Sequence, residues 1–129
     1  MRFDHIDLRV RDVKKAFKLY DAMLRGLGAT KSYKGGRAAE WFHGAREEPF
    51  FGIHRDTKHA PNKSRIAFAA QTRKEVDRIA RLIKRAGARS LEGPDVCKSY
   101  TQPYYAVFFE DADGNKFEIC CRSKDSSSA

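Results

Sequence analysis

Long apolar runs are absent from this sequence. Its longest apolar pieces, such as Tyr104 to Phe109, are strand-sized, whereas a membrane span needs about 20 apolar residues. A helix-spanning membrane protein is therefore excluded. The N-terminal stretch also lacks the apolar core, about 7 to 15 residues long, of a secretory signal, so the expectation is a cytoplasmic protein. Cysteine is scarce, with three residues: Cys97 stands alone, and Cys120 and Cys121 are adjacent. No CxxC spacing exists for a zinc or redox motif, and a disulfide framework is not expected in a reducing compartment. Free thiols, buried or half-buried, are the expectation. Acidic residues are the minority charge, 17 against 26 Lys plus Arg, for a net charge of +9. Such a field attracts nucleic acid, acidic lipid or anionic metabolites. The cations nevertheless occur in every segment, from Arg9 and Arg11 through Lys84 and Arg85 to Lys124. They form no basic stripe interleaved with aromatics, so nucleic acid is not the expected partner.

What is present is a globular composition: 129 residues, 41% hydrophobic and 12% aromatic. One domain typically takes roughly 100 to 200 residues, and folding at this size hides about two thirds of the unfolded chain's surface. A single domain over residues 1–125 is expected, with a polar tail at 123–129 that frays.

Phe3 to Val10 alternates as a strand does. Asp12 is placed to cap a helix whose apolar residues Val13, Ala16, Phe17, Tyr20, Met23, Leu24 and Leu27 recur in steps of three and four. Gly26 and Gly28 end it. Ala29 to Tyr33, Arg37 to His43 and Pro49 to His54 read as three extended pieces, parted by Gly35-Gly36 and by Gly44 with the charged residues after it. Then the order begins again. Arg65 to Ala70 is strand-like, and Thr72 with Glu75 has the spacing of a capping box. Val76, Ile79, Ala80, Ile83 and Ala86 make the next helical stripe, and Gly87 stops it. Arg89 to Leu91 is short and extended, and a loop with Gly93, Pro94 and Pro103 follows. Tyr104 to Glu110 and Lys116 to Cys121 close the chain as a hairpin around Asp111 to Asn115.

The halves correspond, as in an internal duplication. His5-Ile6-Asp7-Leu8 matches Arg65-Ile66-Ala67-Phe68, Gly28-Ala29 matches Gly87-Ala88, and Phe51-Gly52-Ile53 matches Phe117-Glu118-Ile119. The expectation is an α+β fold of two tandem βαβββ modules, about residues 1–56 and 64–122. They are expected to form a curved mixed sheet with a central cleft and helices outside. One helix covers each sheet face poorly, so the modules are expected to pack together.

The residues also carry a family resemblance. Phe3-Asp4-His5-Ile6-Asp7-Leu8-Arg9-Val10, followed by a helix with Phe17 and Tyr20, resembles the vicinal oxygen chelate superfamily of glyoxalase I, bleomycin-resistance proteins and extradiol dioxygenases. Arg65-Ile66-Ala67-Phe68 stands where that family often has His-Ile-Ala-Phe. The segment from Tyr104 through Asp111-Ala112-Asp113-Gly114-Asn115 to Glu118 resembles its apolar strand, Asp-Pro-Asp-Gly-Asn turn and glutamate-bearing last strand. The resemblance spans about residues 3–122 and implies the fold. It leaves the activity open, because the superfamily hosts lyases, isomerases, dioxygenases, epimerases and drug-binding proteins. It also implies a homodimer.

The metal site implied by the resemblance draws on four strand positions, held here by His5, Gly52, Arg65 and Glu118. A divalent ion there wants imidazole and carboxylate donors with open positions for substrate oxygens. Glycine has no donor, and a guanidinium is a permanent cation with no lone pair to give. The site is therefore degenerate. Arg65 is expected to pair with Glu118 and stand in for the ion, with no tightly bound cofactor. His54, two residues beyond Gly52 and on the same strand face, offers a shifted set of His5, His54 and Glu118. His43 and His59 read as turn or surface residues.

Aromatic candidates for the cleft are Trp41, Phe42, Phe50 and Phe51 in the first module and Tyr100, Tyr104 and Tyr105 in the second; alternation makes half of them core. The expected ligand-binding residues are His5, Arg65, Glu118, Trp41 and Tyr104, and the catalytic candidates are Glu118, Tyr104 and Tyr105. Three functions follow. The first is binding or transforming a small anionic molecule without a tightly bound metal. The second is a metal-dependent lyase or dioxygenase using His5, Glu118 and His54, in which a divalent metal is the cofactor. The third is a basic adaptor for nucleic acid or a protein.

Overall fold

The computed structural model describes residues 1–45, 48–99 and 102–124. The chain divides into two compact units, Met1–Ala60 and Pro61–Ala129. The first holds β1 (His5–Val10), α1 (Val13–Gly26), β2 (Lys31–Lys34), β3 (Ala38–Phe42) and β4 (Phe50–Arg55). The second holds β5 (Arg65–Ala69), α2 (Arg73–Arg85), β6 (Arg89–Val96), β7 (Tyr105–Glu110) and β8 (Lys116–Cys121). Among the described residues no helix is long and apolar enough to cross a membrane.

Each unit closes a four-stranded mixed sheet of its own, in the order β1-β4-β3-β2 and β5-β8-β7-β6. In both, the first strand runs parallel to the last and the other neighbours are antiparallel. The register repeats as well: Asp7 lies opposite Gly52, and Ala67 opposite Glu118. The duplicated βαβββ unit of an α+β fold is thus present in hydrogen bonding as well as in sequence.

In the first unit Asp12 caps α1 by accepting from the Lys15 N–H at 3.0 Å. The apolar stripe of α1 buries Val13, Tyr20, Met23 and Leu24. Alternation along β3 and β4 sends Trp41 and Phe51 to the same side, where Tyr20 lies 6.3 and 6.1 Å from their rings. In the second unit Thr72 accepts from the Glu75 N–H at 3.1 Å, and the Glu75 carboxylate takes the N–H of Gln71 at 3.0 Å. Both ends of the box are used, with the glutamate reaching one residue further back than the usual partner. Val76, Ile79 and Ile83 are fully buried beneath α2, as are Val107 and Ile119 of the sheet.

The strand β6 is longer than the short piece expected at Arg89 to Leu91. Gly93 and Pro94 lie within it, because β6 is a sheet edge with register shifts on either side of Glu92. An edge strand tolerates a residue without an N–H. Gly93 has φ +90°, and a Cβ there would meet the Ala106 carbonyl oxygen at 2.6 Å, so only glycine fits. The turn before β8 is closed by Asp111, whose carboxylate accepts from the N–H groups of Asp113 and Asn115, each at 2.9 Å.

Candidate functional site

Each sheet has one face covered by its helix and one face turned away from it. Alternation sends His5, Asp7 and Arg9 of β1, Phe50, Gly52 and His54 of β4, and Glu40 and Phe42 of β3 to the uncovered face of the first unit. In the second unit the same rule sends Arg65 and Ala67, Ala106, Phe108 and Glu110, and Lys116, Glu118 and Cys120 there.

In the first unit this face is a histidine–carboxylate network. Asp4 holds the Nδ1 of His5 at 2.6 Å. Asp7 lies between two imidazoles, with one oxygen 3.0 Å from the Nε2 of His54 and the other 3.6 Å from the Nε2 of His5. Gly52 makes this arrangement fit: a Cβ there would stand 3.0 Å from the Asp7 Oδ1 and 3.4 Å from the His54 Nε2. The missing side chain is thus replaced by a carboxylate from the neighbouring strand. Phe50 stacks on His5 with ring centroids 4.6 Å apart, and Phe42 lies 5.2 Å from Phe50. The His5 pKa is raised, first by its hydrogen bond to Asp4 and then, against burial, by the charge of Asp7.

In the second unit the centre is a carboxylate–phenol pair. Glu118 is 6% exposed and Tyr104 is 5% exposed, and the Tyr104 hydroxyl donates to the Glu118 carboxylate. Tyr104, Ala106 and Cys120 pack as one buried cluster, with Cys97 and Phe108 against it. Arg122 covers the Tyr104 ring at 4.8 Å. Burial pushes the Tyr104 phenol well above its ordinary range, with Cys120 and Glu118 adding to the effect. Burial also raises the Cys97 thiol, helped by Glu118. All three cysteines are free, Cys120 and Cys121 buried and Cys97 half-buried.

The structure moves several sequence-derived candidates. Trp41 is 1% exposed, on the α1 side of its sheet, and its indole N–H donates to Asp21 at 3.0 Å. It is core of the first unit and lines no ligand face, because β3 alternation sends it towards the helix. Tyr105 likewise faces α2, where its hydroxyl donates to Asp77 at 2.6 Å under the Arg73 guanidinium. Its neighbour Tyr104 precedes the strand and turns to the other side. Arg65 makes no ion pair with Glu118. The parallel register sets Arg65 opposite Lys116 and Ala67 opposite Glu118, an offset of one strand repeat, about 6.5 to 7 Å. The carboxylate takes Tyr104 instead, and the guanidinium lies 4.9 Å over the Phe108 ring. His5 and His54 share a face in the first unit, and Glu118 belongs to the second. Tyr100 lies outside the described residues.

Asp7, Asp4 and Glu40 are the functional-face residues that the sequence reading did not single out. Asp7 was legible as the second residue beyond His5 on one strand face. Its meeting with His54 depends on the β1–β4 register.

The donor chemistry does not fit the divalent ion of the resemblance. Of its four positions, Gly52 offers nothing, Arg65 is a cation without a lone pair, and Glu118 is engaged by a phenol. Among the described residues no group of three or more His, Cys, Asp or Glu side chains is arranged to hold a metal ion.

Two repeated βαβββ units, each with a polar strand face away from its helix, define the glyoxalase class of folds. A family model confirms the class. The Glyoxalase/Bleomycin resistance protein/Dioxygenase superfamily matches residues 2–119, and the chain belongs to that superfamily. Among solved structures, a glyoxalase/bleomycin resistance protein from Albidiferax ferrireducens T118 is 25% identical with a TM-score of 0.79, over 93% of this chain and 98% of that one. A glyoxalase/bleomycin resistance protein/dioxygenase family enzyme from Burkholderia phytofirmans PsJN is 14% identical, TM-score 0.69, over 95% and 100%. The fosfomycin resistance protein FosX from Mesorhizobium loti is 17% identical, TM-score 0.68, over 95% and 92%. The last two are likenesses of fold alone. No curated protein matches the chain.

Proposed function

We propose that this superfamily member binds or transforms a small anionic molecule without a tightly held metal ion. Arg65 is the anion-binding cation, and the Tyr104–Glu118 pair is the polar group beside it. The observation that carries this reading is Arg65 itself. A fixed cation occupies the first position of β5, where the resemblance implies a histidine ligand, and its guanidinium is held on Phe108 at the rim of the Tyr104–Cys120 cluster. It is exposed and makes no ion pair with a described residue, so it is available to an incoming carboxylate or phosphate. Tyr104 and Glu118 share a hydrogen bond in a buried setting, the arrangement from which a proton can be given or taken. The same reading has the chain acting as a homodimer, measurable by light scattering.

The test is metal analysis of untagged protein dialysed against divalent ions, followed by a thermal-shift screen of small carboxylates and phosphates. The expected result is far less than one metal per chain and a ligand whose stabilisation is lost in Arg65→Met. A ligand at 100 times its Kd stabilises by about 2.7 kcal/mol, which a melting curve resolves. About one metal per chain, or anion binding unchanged in Arg65→Met, overturns the reading.

A further inference from the structure

We propose that the outer face of α2 is a docking surface for the phosphate backbone of duplex nucleic acid. The cations look dispersed along the sequence, but this helix gathers them. Of its 13 residues six are cations, Arg73, Lys74, Arg78, Arg81, Lys84 and Arg85, against two acids, Glu75 and Asp77. Lys74, Arg78, Arg81 and Arg85 follow one another in helical steps of four, three and four and form a line along one side. All four are exposed. The line is about 16 Å long at 1.5 Å per residue, the axial reach of about five phosphates on one strand of a duplex.

Both acids of α2 are held by local partners. Glu75 takes the Gln71 N–H at 3.0 Å, and Asp77 takes the Tyr105 hydroxyl at 2.6 Å. Lys74, Arg81, Lys84 and Arg85 form no ion pair with any described residue. Beside the line, Lys74, Arg78 and Arg81 share a groove of about 470 Å³ with the two acids, Glu75 and Asp77. Arg81 and Lys84, with Asp77, border a second of about 410 Å³ beside Leu91, Gly93 and Pro94.

The same face argues against other anionic partners. A helix that docks on a membrane inserts an apolar side, but Val76, Ile79 and Ile83 of α2 are fully buried against their own sheet. Single-stranded nucleic acid needs aromatic platforms for its bases, and α2 has no aromatic residue. A row of cations without an apolar or aromatic element matches a regularly charged rod, contacted through its backbone and not through its bases.

The experiment is fluorescence anisotropy of the full chain with a labelled 20-bp DNA duplex at several salt concentrations. Four released counterions give a log–log salt slope of about −3.6, an affinity loss of about 10²-fold between 50 and 200 mM salt. Arg81→Glu/Arg85→Glu is expected to weaken binding at least 10-fold. Arg81→Gln/Arg85→Gln is expected to flatten the slope by about 2, and circular dichroism checks that both variants fold. Lys14→Glu/Lys18→Glu, the same charge change on α1, is expected to leave affinity within about threefold. Duplex RNA bound with the same variant dependence supports the surface. Absence of binding at 50 mM salt, equal losses from the α1 and α2 variants, or binding to phosphatidylserine vesicles in place of the duplex overturns it. Arg65→Met is expected to leave duplex binding unchanged, so this proposal and the small-anion reading fail separately.

Discussion

Tyr104→Phe removes a single oxygen from the buried centre of the second unit. The ring stays, and with it the packing against Ala106 and Cys120 and the Arg122 guanidinium 4.8 Å above it. What is lost is the donor to Glu118, a carboxylate 6% exposed to solvent, together with the hydroxyl's contact with the Cys120 side chain. A hydrogen bond to a charged group contributes about 1.5–3 kcal/mol. The expected cost is therefore about 2 kcal/mol, a fall of roughly 6–10 °C in melting temperature for a chain of this size. Urea denaturation at pH 7 measures it, with an unchanged slope showing that the unfolded state is not altered. A double-mutant cycle with Glu118→Gln isolates the pair and should return a coupling of about 1 kcal/mol or more. A cost under about 0.5 kcal/mol with no coupling refutes the reasoning: the carboxylate would then be satisfied without the phenol.

Three further outcomes are expected. Tyr105, pushed up to about 12 by its hydrogen bond to Asp77 and by burial, should ionise late in an ultraviolet titration. A phenol with a raised folded pKa contributes stability that is complete below its unfolded value of about 10 and is lost as pH climbs through the folded one; Asp77→Asn should bring the ionisation down and lessen that alkaline dependence, leaving the part due to burial. His5 contributes in the same sense. Its folded pKa is raised chiefly by Asp4, so its stabilisation is present below about pH 6.5 and fades above. An NMR titration should show Asp4→Asn moving His5 downward, and an unmoved His5 would refute the assignment. Trp41→Ala empties the space between Phe17 and Tyr20 and should cost about 3–5 kcal/mol, whereas Phe50→Ala, on the half-buried outer face, should cost clearly less in the same denaturation assay.

The fold was legible because its signals are local. The apolar stripes of α1 and α2, the caps at Asp12 and Thr72, the stops at Gly28 and Gly87, and the repeat of His5-Ile6-Asp7-Leu8 as Arg65-Ile66-Ala67-Phe68 all lie in neighbouring residues. Strand β6 looks short in the sequence because a proline argues against a strand, while the exemption for an edge with bulges depends on which strand it pairs with. The resemblance brought His5, Gly52, Arg65 and Glu118 to notice, and the chemistry of glycine and arginine alone set two of them aside as metal ligands.

What only the tertiary structure decided is which side chains meet. Parallel register places Arg65 opposite Lys116 and keeps it from Glu118. A loop residue, Tyr104, turns to the carboxylate while its neighbour Tyr105 turns to the helix. Asp7 reaches His54 across strands that lie 47 residues apart in the chain, through space that Gly52 leaves open. Composition and periodicity determine which face a residue occupies, because those depend on the backbone repeat of one element. Partners are determined by register between elements, which the linear sequence carries only through the packed whole.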